Sequence, residues 1–154
     1  MPALDNEKSI LSQFVKRYKP TIENASSEVI IDNLKVSVDF IWKENDLTIL
    51  LEIDSYNSAK NIFGEYVLLN QVASYKSNCI LVIIHCYKNY NIGRTEKYLK
   101  FAVDTLKCKL PYVVYSDTEW NDIVESQSKT KLLNMIKKRS KPNNYTLCTR
   151  KLKT

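Results

Sequence analysis

Three carboxylates lie in two neighbouring apolar runs of the sequence, close enough together to share a cation. Asp39 belongs to the run at positions 36–42, and Glu52 and Asp54 belong to the run at positions 47–54. Both runs are rich in β-branched residues, and a four-residue polar stretch separates them. This pattern predicts a β-hairpin with a four-residue loop.

The pairing within this hairpin decides whether the three carboxylates meet. We expect Trp42 to pair with Leu47 across the loop. In that register Asp39 lies opposite Leu50, with Glu52 as its diagonal neighbour on the same face. The two-residue period of a strand places the third carboxylate on that face as well. The sequence therefore predicts three carboxylates that converge on one patch of a largely apolar sheet.

A divalent cation is the simplest partner for such a group of carboxylates. Like charges held close together repel, and burying them without partners is unfavourable. Carboxylate oxygens are hard ligands that suit Mg²⁺, with Mn²⁺ as an alternative. The pattern predicts that Asp39, Glu52 and Asp54 bind this ion. Two structural roles stay open: Asp39 could form an ion pair with Lys35 or an arginine, and the other two carboxylates could cap the next helix.

Helices and strands alternate along the rest of the chain. Apolar residues at helical spacing predict helices at 5–19, 61–76, 93–106 and 118–136, and the polar stretch 125–128 offers a break in the last one. Glu7, in the first turn of the first helix, is expected to act on the helix dipole. Runs typical of strands lie at 28–31, 36–42, 47–54, 79–85 and 111–115. The order predicts one α/β domain at residues 1–136, in which a central mixed sheet with a three-stranded antiparallel meander is flanked by helices.

Charge is distributed unevenly along the chain. From Lys129 onward there are nine basic residues and no acidic one, which leaves 14 basic residues against 17 acidic ones in the preceding part. An acidic body with a basic C-terminal tail at 137–154 predicts a nucleic-acid partner, because Lys and Arg bind phosphates. A solubilising tail is the alternative. The residues predicted to contact nucleic acid in this segment are Lys137, Lys138, Arg139 and Lys141.

Composition argues against membrane insertion, secretion and a structural zinc site. No apolar run approaches the roughly 20 residues of a membrane span, and the N-terminus lacks the basic start and apolar core of a signal peptide. The four cysteines show no CxxC spacing, so neither a zinc site nor a disulfide framework is indicated. We expect a cytoplasmic protein with reduced thiols and no membrane contact.

The order of elements and acidic residues resembles the PD-(D/E)XK nuclease superfamily. The motifs are Val-Asp-Phe at 38–40 and Leu-Glu-Ile-Asp at 51–54, followed by a helix and a buried strand. They are most similar to the VDF…EVD branch related to very-short-patch-repair endonucleases. Gln71 and Tyr75 match the QxxxY pattern of recombination exonucleases in this superfamily, and Gly64-Glu65 resembles the Gly-Gln helix start of other members.

The resemblance implies a restriction-endonuclease-like fold and Mg²⁺-dependent hydrolysis of phosphodiester bonds, with DNA as the expected substrate and RNA as the alternative. Asp39 and Glu52 would be metal ligands. Asp54, at the position where many members have lysine, would be a further ligand or the base that acts on the attacking water. Lys60 is the residue expected to supply the missing positive charge near the phosphate, with another lysine or a second metal-bound water as alternatives. His85 could enter the same end of the sheet or be a hydrogen-bonded core residue.

The same resemblance leaves two other functions open. Because the usual lysine is absent, the chain could be a catalytically inactive member that binds nucleic acid or serves as an assembly module. Gln71 and Tyr75 share one face of a predicted helix and are predicted to contact nucleic acid, with an ordinary helix surface as the alternative. A protein-interaction domain is the third alternative. Many nucleases of this superfamily cut duplex DNA as dimers, so a homodimer is compatible with the resemblance.

Overall fold

The computed structural model describes residues 3–20, 28–31, 34–73 and 78–142. Its helices are α1 (Ala3–Tyr18), α2 (Ala59–Ala73), α3 (Ile92–Leu106), α4 (Asp117–Ser126) and α5 (Lys129–Arg139). Its strands are β1 (Glu28–Ile31), β2 (Leu34–Ser37), β3 (Phe40–Glu44), β4 (Leu47–Asp54), β5 (Cys79–His85) and β6 (Tyr112–Ser116). Within these ranges, no helix has the length and apolar character needed to cross a membrane.

A mixed sheet of four strands forms the centre of the fold, in the order β3-β4-β5-β6. β3 and β4 are antiparallel, whereas the β4–β5 and β5–β6 pairs are parallel. Helices α2 and α3 pack on one face of this sheet, and α1, α4 and α5 pack on the other. The predicted α/β class, with a mixed sheet between helices, is therefore confirmed.

The predicted three-stranded antiparallel meander is wrong. β1 and β2 pair with each other as a separate two-stranded sheet, which lies against α2. The predicted strand at 36–42 is interrupted, because β2 ends at Ser37 and β3 begins at Phe40. Asp39 occupies the bend between them, where its Oδ2 accepts a hydrogen bond from the backbone N–H of Ile53 at 2.6 Å. A side-chain acceptor has thus taken the place of a backbone partner in the ladder.

The β3–β4 hairpin has a tight turn in place of the predicted four-residue loop. Trp42 pairs with Ile49 and not with Leu47, so the turn consists of Asn45 and Asp46. Asn45 has a φ of 52°, in the left-handed region that asparagine tolerates better than most residues. The register differs from the predicted one by two residues. Because side chains alternate with a period of two, each residue stays on its predicted face.

β4 and β5 form the buried middle of the sheet. All seven residues of β5 are buried, as predicted for a strand covered on both faces. In β4 the odd-numbered residues pack with α1, α4 and α5, whereas Leu50 packs with α2 and α3. The alternation along the strand therefore places Glu52 and Asp54 on the α2–α3 face.

Aromatic packing holds α1 on the opposite face. The ring of Phe14 lies edge-on to Trp42 with 5.2 Å between centroids, and the ring of Tyr18 stacks against Trp42 at 6.4 Å. Such pairs contribute about 0.5–1.5 kcal/mol beyond the burial of their area. Glu7 lies about two helical turns before Phe14 on the same side of α1, so the docking of the helix also brings this carboxylate to the sheet.

The predicted last helix is two helices. Ser128 caps α5 by accepting a hydrogen bond at its Oγ from the backbone N–H three residues later, at 3.3 Å, so the polar stretch does break the helix. α5 continues to Arg139, beyond the predicted domain boundary at 136. Lys141 then pairs with Tyr112 beside β6. The rest of the predicted tail, residues 143–154, lies outside the described residues.

Candidate metal and catalytic site

Acidic side chains from four segments line one open cavity at the C-terminal end of β4. The cavity has a volume of about 390 Å³. Asp39 comes from the bend before β3, Glu52 and Asp54 from β4, Glu7 from α1 and Glu65 from α2. The fold thus gathers the three predicted ligands and adds two further carboxylates.

Asp39 is positioned by its hydrogen bond to β4. Its Oδ2 accepts from the Ile53 N–H at 2.6 Å. Extending the β3–β4 pairing by one residue places Asp39 opposite Glu52, and not opposite Leu50 as predicted, because the tight turn moves the register by two residues. Burial raises the pKa of the Asp39 carboxyl, the Ile53 N–H lowers it, and the neighbouring carboxylates raise it.

Glu52 is the carboxyl on which the electrostatics of the cavity act most strongly. Burial first, and then the charges of Asp39 and Glu65, raise the pKa of Glu52 from 4.5 to about 9. Burial also raises the pKa of Glu65, and the nearby aspartates raise it further. Burial and crowding therefore favour a protonated carboxyl in the cavity near neutral pH, since the carboxyls cannot all be ionised side by side. A bound cation would take the place of that proton.

Asp54 is held by a chain of buried hydrogen-bonding groups. Its Oδ2 lies 2.8 Å from Nδ1 of His85, although the angles depart from those of a good hydrogen bond. Its Oδ1 accepts from the backbone N–H of Tyr56 at 3.2 Å. On the other side of the imidazole, Nε2 lies 2.8 Å from Oγ1 of Thr95, whose oxygen is 2.9 Å from the Tyr90 hydroxyl. His85 thus lies at this end of the sheet as a buried, hydrogen-bonded residue, and it does not line the cavity.

The donor chemistry of the cavity fits a hard divalent cation. Its five carboxylates and the amide oxygen of Asn61 are the ligand type that Mg²⁺ and Mn²⁺ prefer. Across the described ranges, no group of three or more His, Cys, Asp or Glu side chains is already arranged to hold a metal ion. Mg²⁺ needs only one or two protein carboxylates, because it keeps several waters. The predicted ligand set therefore stays a prediction.

Three other predicted residues lie along α2 or beyond it. Lys60 is exposed in the first turn of α2 and does not line the carboxylate cavity. Gln71 is exposed near the end of the same helix. Tyr75, its partner in the QxxxY pattern, lies outside the described residues. The roles proposed for these three residues stay predictions.

The predicted basic contacts lie at the far edge of the sheet from Asp39. Lys137, Lys138 and Arg139 form the last turn of α5, and a separate cavity of about 390 Å³ next to β6 is lined by Lys138, Arg139 and Lys141 among others. The Arg139 guanidinium pairs with Glu119, and its Cζ lies 4.5 Å from the centre of the Tyr115 ring. The first residues of the predicted basic tail therefore belong to α5 and to the bridge with β6.

Sequence reasoning missed two of the acidic residues. Glu7 was assigned to the helix dipole, and Glu65 was noted only as part of a helix-start motif. A usable signal was present for each. Glu7 shares the helical face of Ile10 and Phe14, which docks on the sheet, and Asn61 and Glu65 are one turn apart in the helix that follows the acidic strand.

Comparison with models of protein families, with curated proteins and with solved structures finds no match for this chain.

Proposed function

We propose that this protein is a metal-dependent nuclease of the PD-(D/E)XK superfamily, with a restriction-endonuclease-like fold. Its proposed substrate is the phosphodiester bond of DNA, with RNA as the alternative. The observation that carries the proposal is the meeting of Asp39, Glu52 and Asp54 in one open cavity. These residues come from a hairpin bend and the following strand, in the order that the superfamily motif requires.

Asp39 and Glu52 would hold Mg²⁺ or Mn²⁺, and Asp54 would complete the ligand set or act as the base. When bound, such an ion lowers the pKa of a water molecule and offsets charge on the phosphate. Asp39 is oriented for this role by the Ile53 N–H. Asp54 keeps Oδ2 turned to His85, so Oδ1 is the oxygen that would accept the proton of the attacking water. The water oxygen bonds to phosphorus, and the leaving oxygen departs with a proton from solvent.

A second candidate function has an observation in its favour. Among the described residues that line the cavity, none is lysine or arginine, and Asp54 occupies the usual lysine position. A cavity without a cationic side chain stabilises a phosphate poorly. This favours a catalytically inactive member that binds nucleic acid or serves in assembly.

The test is cleavage of plasmid DNA and of single-stranded DNA with Mg²⁺ or Mn²⁺. Wild type is compared with Asp39→Asn and Glu52→Gln, which keep side-chain shape and remove charge. Asp104→Asn and Glu125→Gln are the matched controls, because both acids are exposed and outside the cavity. We expect cleavage by wild type and both controls, and none by the two site variants. No cleavage by wild type with either metal, together with salt-sensitive DNA binding, would establish the inactive module instead.

A further inference from the structure

Two tyrosines follow the ends of the adjacent parallel strands that carry Asp54 and His85. Tyr56 follows Asp54 by two residues at the end of β4, and Tyr87 follows His85 by two residues at the end of β5. Asp54 and His85 are paired positions of adjacent parallel strands. The pairing continues one step further, because the Cys86 N–H donates to the Asp54 carbonyl at 2.9 Å. Parallel register therefore places both tyrosines at the end of the sheet where the cavity opens. We refer to the exposed residues at this end of the sheet as the rim.

The rings of these two tyrosines are open to solvent. Tyr56 is 66% exposed and Tyr87 is 44% exposed, and Tyr56 also lines the carboxylate cavity. Tyr90, three residues further along, shows the contrasting arrangement, since its ring stacks on His85 with 4.0 Å between centroids. Two large, exposed aromatic side chains thus lie at the same end of the sheet as the candidate site, and each carries a polar hydroxyl that suits a wet interface.

Arg94 adds a fixed cationic plane to this rim. Its Nη1 donates to Oδ1 of Asn57 at 2.7 Å, and its Cζ lies 5.4 Å from the centre of the Tyr90 ring. Asn57 is the chain neighbour of Tyr56, so this contact links the loop after β4 to the first turn of α3. The guanidinium stays exposed, and its remaining N–H groups can bind a phosphate.

The charges around the rim are opposite in sign to those inside the cavity. Lys60 in the first turn of α2, Lys88 next to Tyr87, and Arg94 are all exposed, whereas the cavity holds carboxylates. A ligand that contacts the rim therefore gains from negative charge and from flat aromatic groups together. A nucleic-acid strand whose bases are unpaired carries both.

We propose that Tyr56, Tyr87 and Arg94 form a stacking platform for unpaired nucleotides, so that the substrate class is single-stranded nucleic acid. Bases inside a duplex are stacked on their neighbours and cannot present their faces to a protein ring, whereas unpaired bases can. The cleavage of such a strand rests on the proposed nuclease function. Its binding to the platform does not.

The test measures binding of labelled oligo(dT), oligo(U) and a DNA duplex of the same length by fluorescence anisotropy. It is done in the Asp39→Asn variant with Mg²⁺, so that the strands stay intact. We expect single strands to bind more tightly than the duplex. Tyr56→Ala and Tyr87→Ala should each weaken single-strand binding about tenfold and leave duplex binding unchanged. The comparison of oligo(dT) with oligo(U) shows whether a DNA strand or an RNA strand binds more tightly.

Matched variants separate stacking from other effects. Tyr56→Phe and Tyr87→Phe keep the ring and should retain single-strand binding. Tyr98→Ala removes a partly exposed tyrosine that packs on Phe63 of α2, and it should also bind normally. Arg94→Lys keeps the positive charge but lacks the planar guanidinium. It should therefore show most of the loss of single-strand affinity that Arg94→Ala shows.

Two results would overturn the platform: single-strand binding that is unchanged in both alanine variants, or an equal loss for single strands and duplex. The outcomes for the two proposals are distinguishable. If wild type cleaves nothing but single-strand binding weakens in the two alanine variants, the platform is supported and the nuclease function is ruled out. Cleavage without tyrosine-dependent binding supports the nuclease and removes the platform.

Discussion

The Oδ2 atom of Asp54 lies 2.8 Å from Nδ1 of His85, and the two residues are paired positions of β4 and β5. On the other side of the ring, Nε2 lies 2.8 Å from Oγ1 of Thr95, and that oxygen lies 2.9 Å from the Tyr90 hydroxyl. A row of polar groups therefore runs from Tyr90 through Thr95 and His85 to the carboxylate.

The first prediction concerns this buried row. His85→Ala removes the buried imidazole that lies between Asp54 and Thr95, and it leaves the buried Thr95 hydroxyl without its partner on the ring. We expect the free energy of unfolding to fall by about 2–4 kcal/mol, measured by urea denaturation. In a double-mutant cycle with Asp54→Ala, the two losses should not add, because each removes the same contact. Additive losses would show that the 2.8 Å contact contributes nothing.

The second prediction is a pH dependence of stability. In the folded protein Glu52 has a pKa of about 9, against 4.5 in its ordinary environment. Between these values the folded state binds a proton that the unfolded state has lost, so the stabilising contribution is full below about pH 4.5 and is lost as pH rises through about 9. We expect wild type, in a chelator, to lose stability as the pH rises over this range, and Glu52→Gln to lose clearly less, because it has no carboxyl to ionise there.

The matched control for this pH series is Glu125→Gln, because Glu125 is exposed on α4. This variant should follow the wild-type curve. A Glu52→Gln variant that tracks wild type at every pH would mean that Glu52 is ionised in the folded protein at neutral pH.

The third prediction is stabilisation by divalent cations. A cation that binds the folded state at ten times its Kd stabilises it by about 1.4 kcal/mol, which raises the Tm of a domain of this size by about 3–6 °C. We expect this rise for wild type and for Asp104→Asn on adding Mg²⁺ or Mn²⁺, and its absence in Asp39→Asn and Glu52→Gln. The measurement reports binding alone, so it holds for an inactive module as well. Equal rises in all four proteins would place the ion elsewhere.

The fourth prediction concerns the basic end of α5. If Lys137 and Lys138 contact phosphates, replacing both with alanine should weaken duplex binding and reduce the slope of log K against log salt by about 0.9 for each lost contact. Lys131→Ala, in the first turn of the same helix and also exposed, should leave the slope unchanged. Arg139 is unsuitable for this test because it pairs with Glu119 and packs on Tyr115. An unchanged slope in the double variant would remove this helix end from the interface.

The sequence alone determined the strands β4 and β5 and the face on which two of the carboxylates lie. The two-residue period of β4 puts Glu52 and Asp54 on one side whichever partner the strand takes, so an error of two residues in the register did not move them. The continuous apolar run at β5 likewise predicted a strand buried on both faces, because only such a strand can hide apolar residues at every position.

Only the tertiary structure decided where Asp39, Glu7 and Glu65 lie. Asp39 interrupts a strand because a distant backbone N–H, that of Ile53, donates a hydrogen bond to its carboxylate. No local sequence pattern contains that partner. Glu7 and Glu65 reach the cavity because α1 and α2 dock on opposite faces of the sheet. Periodicity along a chain determines which side of an element a residue occupies, whereas the packing of elements decides which sides meet.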